Sequence, residues 1–215
     1  MDIVKNFKSI KKTITDNVQI IAVSKTKSKD EILKIYNIGH KNFGENKIQE
    51  LKEKYNQLPK DIKWHMIGHV QRNKVKYIAP FIELIHSVDS LKLMLEINKQ
   101  GEKNKRTIKC LLQIKIANEE NKFGLIKDEV ENLISLSNNL NYIKIIGLMG
   151  MATYTNNHKI IDREFKEIYN LFKMLKISHK QLSILSIGMS NDYLIAINNG
   201  SNMVRIGSQI FGERN

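Results

Sequence analysis

Eight short apolar runs rich in β-branched residues, helical patterns between them, and a chain of 215 residues predict an α/β protein built as a single (β/α)8 TIM barrel. The strand-like runs fall at 18–24, 42–45, 64–67, 83–88, 108–117, 142–150, 182–188 and 202–206. Helical periodicity separates them, at Lys29 to Gly39, Asn46 to Leu58, Leu91 to Gly101, Lys127 to Asn139 and His158 to Lys176. In the last of these, Ile161, Phe165, Ile168, Tyr169 and Phe172 form one stripe, the spacing of an amphipathic helix. An additional N-terminal helix, roughly Ile3 to Ile14, precedes the first strand. The chain is shorter than the ~250 residues usual for this fold, so the loops must be short. An open doubly wound sheet is the competing architecture. It would place a glycine loop after the first strand, where this chain reads Ser24-Lys25-Thr26-Lys27-Ser28.

Composition narrows the class. Two prolines and 11 glycines leave no room for a long linker, so residues 1–215 are expected to form one domain. No stretch reaches the roughly 20 apolar residues of a membrane span, and charge appears early in Met1-Asp2-Ile3-Val4-Lys5-Asn6. A single cysteine, Cys110 in the apolar run Ile108 to Ile116, excludes an internal disulfide and fits a reducing cytoplasm. The net charge of +13 raises nucleic-acid binding. Against it, only 5 of the 35 basic residues are Arg, the Lys are spread through every helix, and no interleaved aromatics offer stacking surfaces.

The chemistry concentrates at strand ends. Lys25 sits where Ile20-Ile21-Ala22-Val23-Ser24 runs out. Partial desolvation there disfavours the ammonium and frees a nucleophilic lone pair, as a Schiff-base lysine requires. In this fold a phosphate site commonly forms from the loops after strands seven and eight. Those loops read Gly188-Met189-Ser190-Asn191-Asp192 and Arg205-Ile206-Gly207-Ser208. Each sets a glycine and a serine at a strand end, where free backbone N–H groups favour an anion. Arg205, in a chain that otherwise chooses Lys, suggests that a fork geometry or a permanent charge is needed. Amine, anion cradle and guanidinium together suit pyridoxal 5′-phosphate (PLP), which carries an aldehyde, a phosphate and a ring nitrogen able to accept a hydrogen bond.

The chain resembles the pyridoxal phosphate homeostasis protein family, also called the PLP-binding protein family, which is similar to the barrel domain of bacterial alanine racemase. The resemblance rests on Ala22-Val23-Ser24-Lys25-Thr26-Lys27, Phe43-Gly44-Glu45-Asn46-Lys47-Ile48-Gln49-Glu50 and Trp64-His65-Met66-Ile67-Gly68 through Gln71-Arg72-Asn73-Lys74. It continues through Lys122-Phe123-Gly124, Gly147-Leu148-Met149, Gly188-Met189-Ser190-Asn191-Asp192 and Val204-Arg205-Ile206-Gly207-Ser208. It implies that Lys25 carries the cofactor as an internal aldimine. Ser190, Gly207 and Ser208, with Met189 beside them, match the phosphate loops; Arg205 matches the arginine facing the pyridine nitrogen; Asn46 matches an asparagine near the cofactor. Ser28 stands where the family often has proline, Ile187 where methionine is common and Met66 where phenylalanine is usual.

What the resemblance implies is a non-catalytic PLP carrier contributing to vitamin B6 and amino-acid balance. PLP-dependent apo-enzymes are its expected recipients, and a monomer is the expected state. The alternative is a fold-type III PLP enzyme such as an amino-acid racemase. A racemase needs a base on each face of the substrate, and the related enzymes take the second from a partner subunit, with a separate β-domain closing the site. Ending at Arg214-Asn215, this chain is expected to carry no such domain. Two other constellations are weaker. His65 and His69 have the spacing of helical metal ligands but straddle Gly68 at a strand end. Glu45 with Asp89 or Asp192 could form an acid/base pair, although capping or salt bridging is the expected role.

Overall fold

In the computed structural model, which describes residues 2–117 and 124–213, eight parallel strands close into a barrel in the order β1 to β8. They are β1 (Gln19–Val23), β2 (Asn42–Glu45), β3 (Lys63–Met66), β4 (Leu84–Val88), β5 (Ile108–Ile114), β6 (Ile143–Gly150), β7 (Ile184–Met189) and β8 (Met203–Ile206). Pairing of β1 with β8, Gln19 opposite Met203 through Ala22 opposite Ile206, completes the cylinder. The helices are α1 (Ile3–Lys12), α2 (Lys29–Tyr36), α3 (Ile48–Gln57), α4 (Leu91–Lys103), α5 (Lys127–Ser137), α6 (His158–Ser178), α7 (Tyr193–Asn198) and α8 (Ser208–Phe211). A 3₁₀ helix, Arg72–Tyr77, follows β3.

Local chemistry accounts for most boundaries. Ser28 opens α2 with a reciprocal cap: its Oγ accepts from the Glu31 N–H (3.2 Å) and its N–H donates to Glu31 Oε2 (2.7 Å). Helix α2 stops at Tyr36, three residues short of the expectation, because Asn37 caps it and Gly39 turns the chain at φ +90°. Strand β5 leaves its ladder at Ile114 rather than 117, although Lys115 N–H still bonds the Leu125 carbonyl. The 3₁₀ helix, α7 and α8 have 6, 6 and 4 residues, too few for a periodicity to show in sequence.

Alternation along the strands sorts side chains to two surfaces. Ile21, Leu84, Leu111, Met149 and Met203 come from β1, β4, β5, β6 and β8 and pack on one another, which places them in the lumen. Trp64 and Phe43 pack outward into the larger core between barrel and helices. Cys110 also lies there, fully buried, with burial pushing its thiol pKa up.

Candidate functional site

Lys25 begins the turn that follows β1 and is half-buried. Its neighbours in sequence are tied down on both sides. Ser24 is buried; its Oγ donates to Glu45 Oε1 (2.6 Å) and its carbonyl accepts from Lys54 Nζ (2.7 Å). Thr26 donates its N–H to Glu50 Oε1 (2.6 Å). Lys54, buried on α3, closes the network at 2.8 Å from Glu45 and 2.7 Å from Glu50. Thr26 sits at φ +65°, a region that a β-branched residue enters only at a cost.

Alternation explains why this network lies outside the barrel. A Cβ on Gly44 would meet Ile21 Cγ2 at 2.9 Å, so Gly44 faces the lumen and Glu45 the helix layer. Burial pushes the Glu45 carboxyl up to about 7, against the pull of Lys54, and among the described residues Oε2 has no hydrogen-bond partner. A buried carboxylate in this state is expensive.

The loops after β7 and β8 meet each other. The Gly207 N–H donates to Ser190 Oγ (3.2 Å), and Gln209 Nε2 donates to the Ser190 carbonyl (2.7 Å). Helix α7 is preceded by Asp192, whose Oδ1 accepts the Met189 N–H (2.5 Å). Gly188, at φ +94°, would bring a Cβ within 2.6 Å of Ala196, so the close return of α7 requires glycine. Ser208 is exposed and opens α8, where first-turn N–H groups have no intrahelical acceptor. A Cβ on Gly207 would come 3.3 Å from Val23, at the end of β1. The β8 loop thus borders the strand that delivers Lys25.

Arg205 is buried in the lumen. NH1 donates to the Ser186 carbonyl and to Ser186 Oγ, both at 2.7 Å, and NH2 donates to the Gly150 carbonyl (3.0 Å). All three acceptors are neutral, and among the described residues Arg205 makes no salt bridge. Burial lowers its pKa to about 10, which leaves it cationic near neutrality.

The sequence-predicted residues thus fall on the strand ends of β1, β2, β7 and β8. Asn46 lies half-buried in the bend after β2, where Gly68 approaches its backbone so closely that a Cβ would sit 2.8 Å from Asn46 Cα. Lys122 and Phe123, quoted for the family resemblance, lie outside the described residues. The weaker constellations separate: His69 pairs with Asp89 (3.1 Å), His65 with His86 (3.0 Å), Asp192 with its own loop and Glu45 with Lys54. A 690 Å³ cavity lined by His69, Arg72, Asp89 and Lys92 includes none of the predicted site residues. Lys54, Glu50, Ser186 and His86 were missed. Lys54 stands three residues after Leu51 and six after Ile48, on the stripe that α3 buries, and His86 interrupts an otherwise apolar strand. Both are signals a pattern search could use.

An amine beside the end of β1, an N–H and hydroxyl pair from the β7 and β8 loops, and a buried guanidinium on β8 thus lie at neighbouring strand ends. The alanine racemase N-terminal domain model matches residues 2–215. The Helicobacter pylori pyridoxal phosphate homeostasis protein is 40% identical over 199 residues, 91% of this chain and 88% of the relative. PipY of Synechococcus elongatus, solved with PLP bound, superposes with a TM-score of 0.90 at 29% identity, over 98% of this chain and all of PipY. Clostridium difficile alanine racemase shares the fold alone: TM-score 0.84 at 14% identity, over 99% of this chain and 56% of the racemase. The chain belongs to the pyridoxal phosphate homeostasis protein family.

Proposed function

We propose that residues 1–215 act as one PLP-binding barrel domain that holds the cofactor reversibly and serves intracellular PLP and amino-acid homeostasis. The observation carrying this reading is Arg205: a buried cation donating only to neutral groups, on the rim that also bears Lys25 and the Ser190–Gly207 cradle. The donor set fits the cofactor. The Lys25 amine suits its aldehyde, Ser190, Gly207 and Ser208 suit its phosphate with Met189 alongside, Asn46 borders the ring, and Arg205 suits the ring nitrogen. When bound, PLP supplies an electrophilic aldehyde and a ring that can draw off carbanion charge. Arg205 can only donate, so it favours an unprotonated ring nitrogen, the weaker state for carbanion chemistry.

The homeostasis names of the relatives support a carrier rather than an amino-acid racemase. PLP-dependent apo-enzymes are the proposed recipients, and a cytoplasmic monomer is the proposed form. Among the described residues, no helix is long and apolar enough to cross a membrane. Purified protein incubated with PLP is expected to gain a visible absorption band, and borohydride should fix the label on Lys25 by peptide mapping. A colourless product, or label on another lysine, sinks the binding reading. Lys25-dependent exchange of amino-acid α-protons in deuterated water would instead favour the racemase.

A further inference from the structure

The lumen of a (β/α)8 barrel is ordinarily filled by branched apolar side chains. This one is crossed by a line of polar groups: Arg205 from β8, Ser186 from β7, His86 from β4 and His65 from β3, with exposures of 4%, 0%, 0% and 2%. Arg205 NH1 bonds Ser186 Oγ at 2.7 Å, Ser186 Oγ bonds His86 Nδ1 at 3.1 Å, and His86 Nε2 bonds His65 Nδ1 at 3.0 Å. His65 Nε2 then faces Asn42 Oδ1 on β2 at 3.4 Å.

The direction of donation follows from the ends. Arginine has no lone pair to offer, so Ser186 Oγ accepts. Its one proton must then go to His86 Nδ1. His86 carries its proton on Nε2 and donates to His65 Nδ1, and His65 donates from Nε2 to Asn42. The reverse arrangement would strand the buried Ser186 proton, a loss that buried groups rarely tolerate. Burial and the neighbouring positive charge hold His86 neutral, and burial holds His65 neutral.

We propose that His86 and His65 are positioning residues for Arg205, acting through Ser186 as a one-way chain that holds the guanidinium with neutral lone pairs. The physical advantage is specific. A carboxylate behind Arg205 would hold it equally well but would cancel the charge offered to a ligand, whereas imidazole and hydroxyl dipoles leave that charge intact. The proposal deepens the PLP reading, since it takes Arg205 as the ring-nitrogen partner.

The chain is tested first without cofactor. Nitrogen-15 NMR of the histidine rings in the full-length protein should show His86 and His65 neutral and protonated on Nε2. An Nδ1–H tautomer or an imidazolium at either residue near neutral pH overturns the chain. His86→Phe keeps the ring volume and removes both bonds, and should speed solvent exchange of the Arg205 guanidinium protons about tenfold. Leu111→Val, in the lumen but outside the chain, should leave that exchange within about twofold. Equal acceleration by both variants, or none in His86→Phe, overturns the positioning role. If His86→Phe does not fold, the wild-type tautomers still decide. With PLP added, His86→Phe should still be labelled at Lys25 but should shift the pH dependence of the visible band. A wild type that takes up no PLP while showing the expected tautomers would sink the PLP reading and leave the chain standing.

Discussion

Lys54, on the outer wall of the barrel, and Arg205, in its lumen, are both buried cations, but Lys54 bonds two carboxylates directly, whereas among the described residues Arg205 bonds none and feels Asp192 only through space. Lys54 bridges Glu45 and Glu50, which accept from the Ser24 hydroxyl and the Thr26 N–H, and itself donates to the Ser24 carbonyl, so both neighbours of Lys25 are held. Its charge is spent locally, on geometry. Arg205 is held by two carbonyls and a serine hydroxyl, so its charge is stabilised without being neutralised. The difference separates two tasks at one rim. On the PLP reading proposed above, the turn around Lys25 benefits from strong opposed charges, whereas a cation with no directly bonded carboxylate keeps its charge for a ligand.

The largest effect should come from Lys54→Met, which leaves the Glu45 carboxyl buried without its cation. We expect a loss of about 3–5 kcal/mol, read by urea unfolding at about pH 8, where the carboxyl would otherwise be ionised. Lys54→Met combined with Glu45→Gln should lose less. A loss well below 1 kcal/mol in the single variant would show that the outer charges are not coupled as described.

The two regions should also tilt stability in opposite directions with pH. Glu45 is raised from 4.5 to about 7 by burial, so the folded state keeps a proton that the unfolded chain releases. Stability from this group therefore falls as pH climbs from about 4.5 to 7. His65 is lowered from 6.5 to about 3 and His86 lies well below 6.5, so the unfolded chain gains protons that the folded state refuses. Stability from these groups falls as pH drops below about 6.5. Each full proton is worth roughly 1.4 kcal/mol per pH unit. Glu45→Gln should steepen the wild-type dependence between about pH 4.5 and 6.5, and His86→Phe should flatten it. Unfolding curves that coincide across all three proteins would erase the contrast.

The smallest effect sharpens the outer region. Thr26→Gly removes the cost of φ +65° but adds unfolded-state freedom, for a net gain of about 0.5 kcal/mol. A clear loss in thermal denaturation would mean that the Thr26 side chain, rather than the Glu50 bond to its N–H, holds the turn.

Much of this was legible in the chain. Strand β2 matches its expected limits, 42–45, and β1 lies within one residue at each end, because period and flanking turn residues specify short buried strands. Lys25, Ser190 and Arg205 could be placed at strand ends once the strands were located, which is where a barrel ordinarily carries its chemistry. The short segments α7, α8 and Arg72–Tyr77 were not, since one or two helical turns carry no periodicity. Nor were the partners of Glu45. Ser24 is 21 residues before it and Lys54 nine after, and no local pattern joins them.

Sequence alone determined the eight-strand alternation, the family resemblance and the residues at the strand ends, because these depend on local periodicity and on short motifs. Tertiary structure decided which polar groups share a buried space. His86 and Ser186 are 100 positions apart and meet only because barrel closure brings β4 and β7 across one lumen. Hydrogen bonding between such groups depends on distance in space, which a linear pattern does not encode.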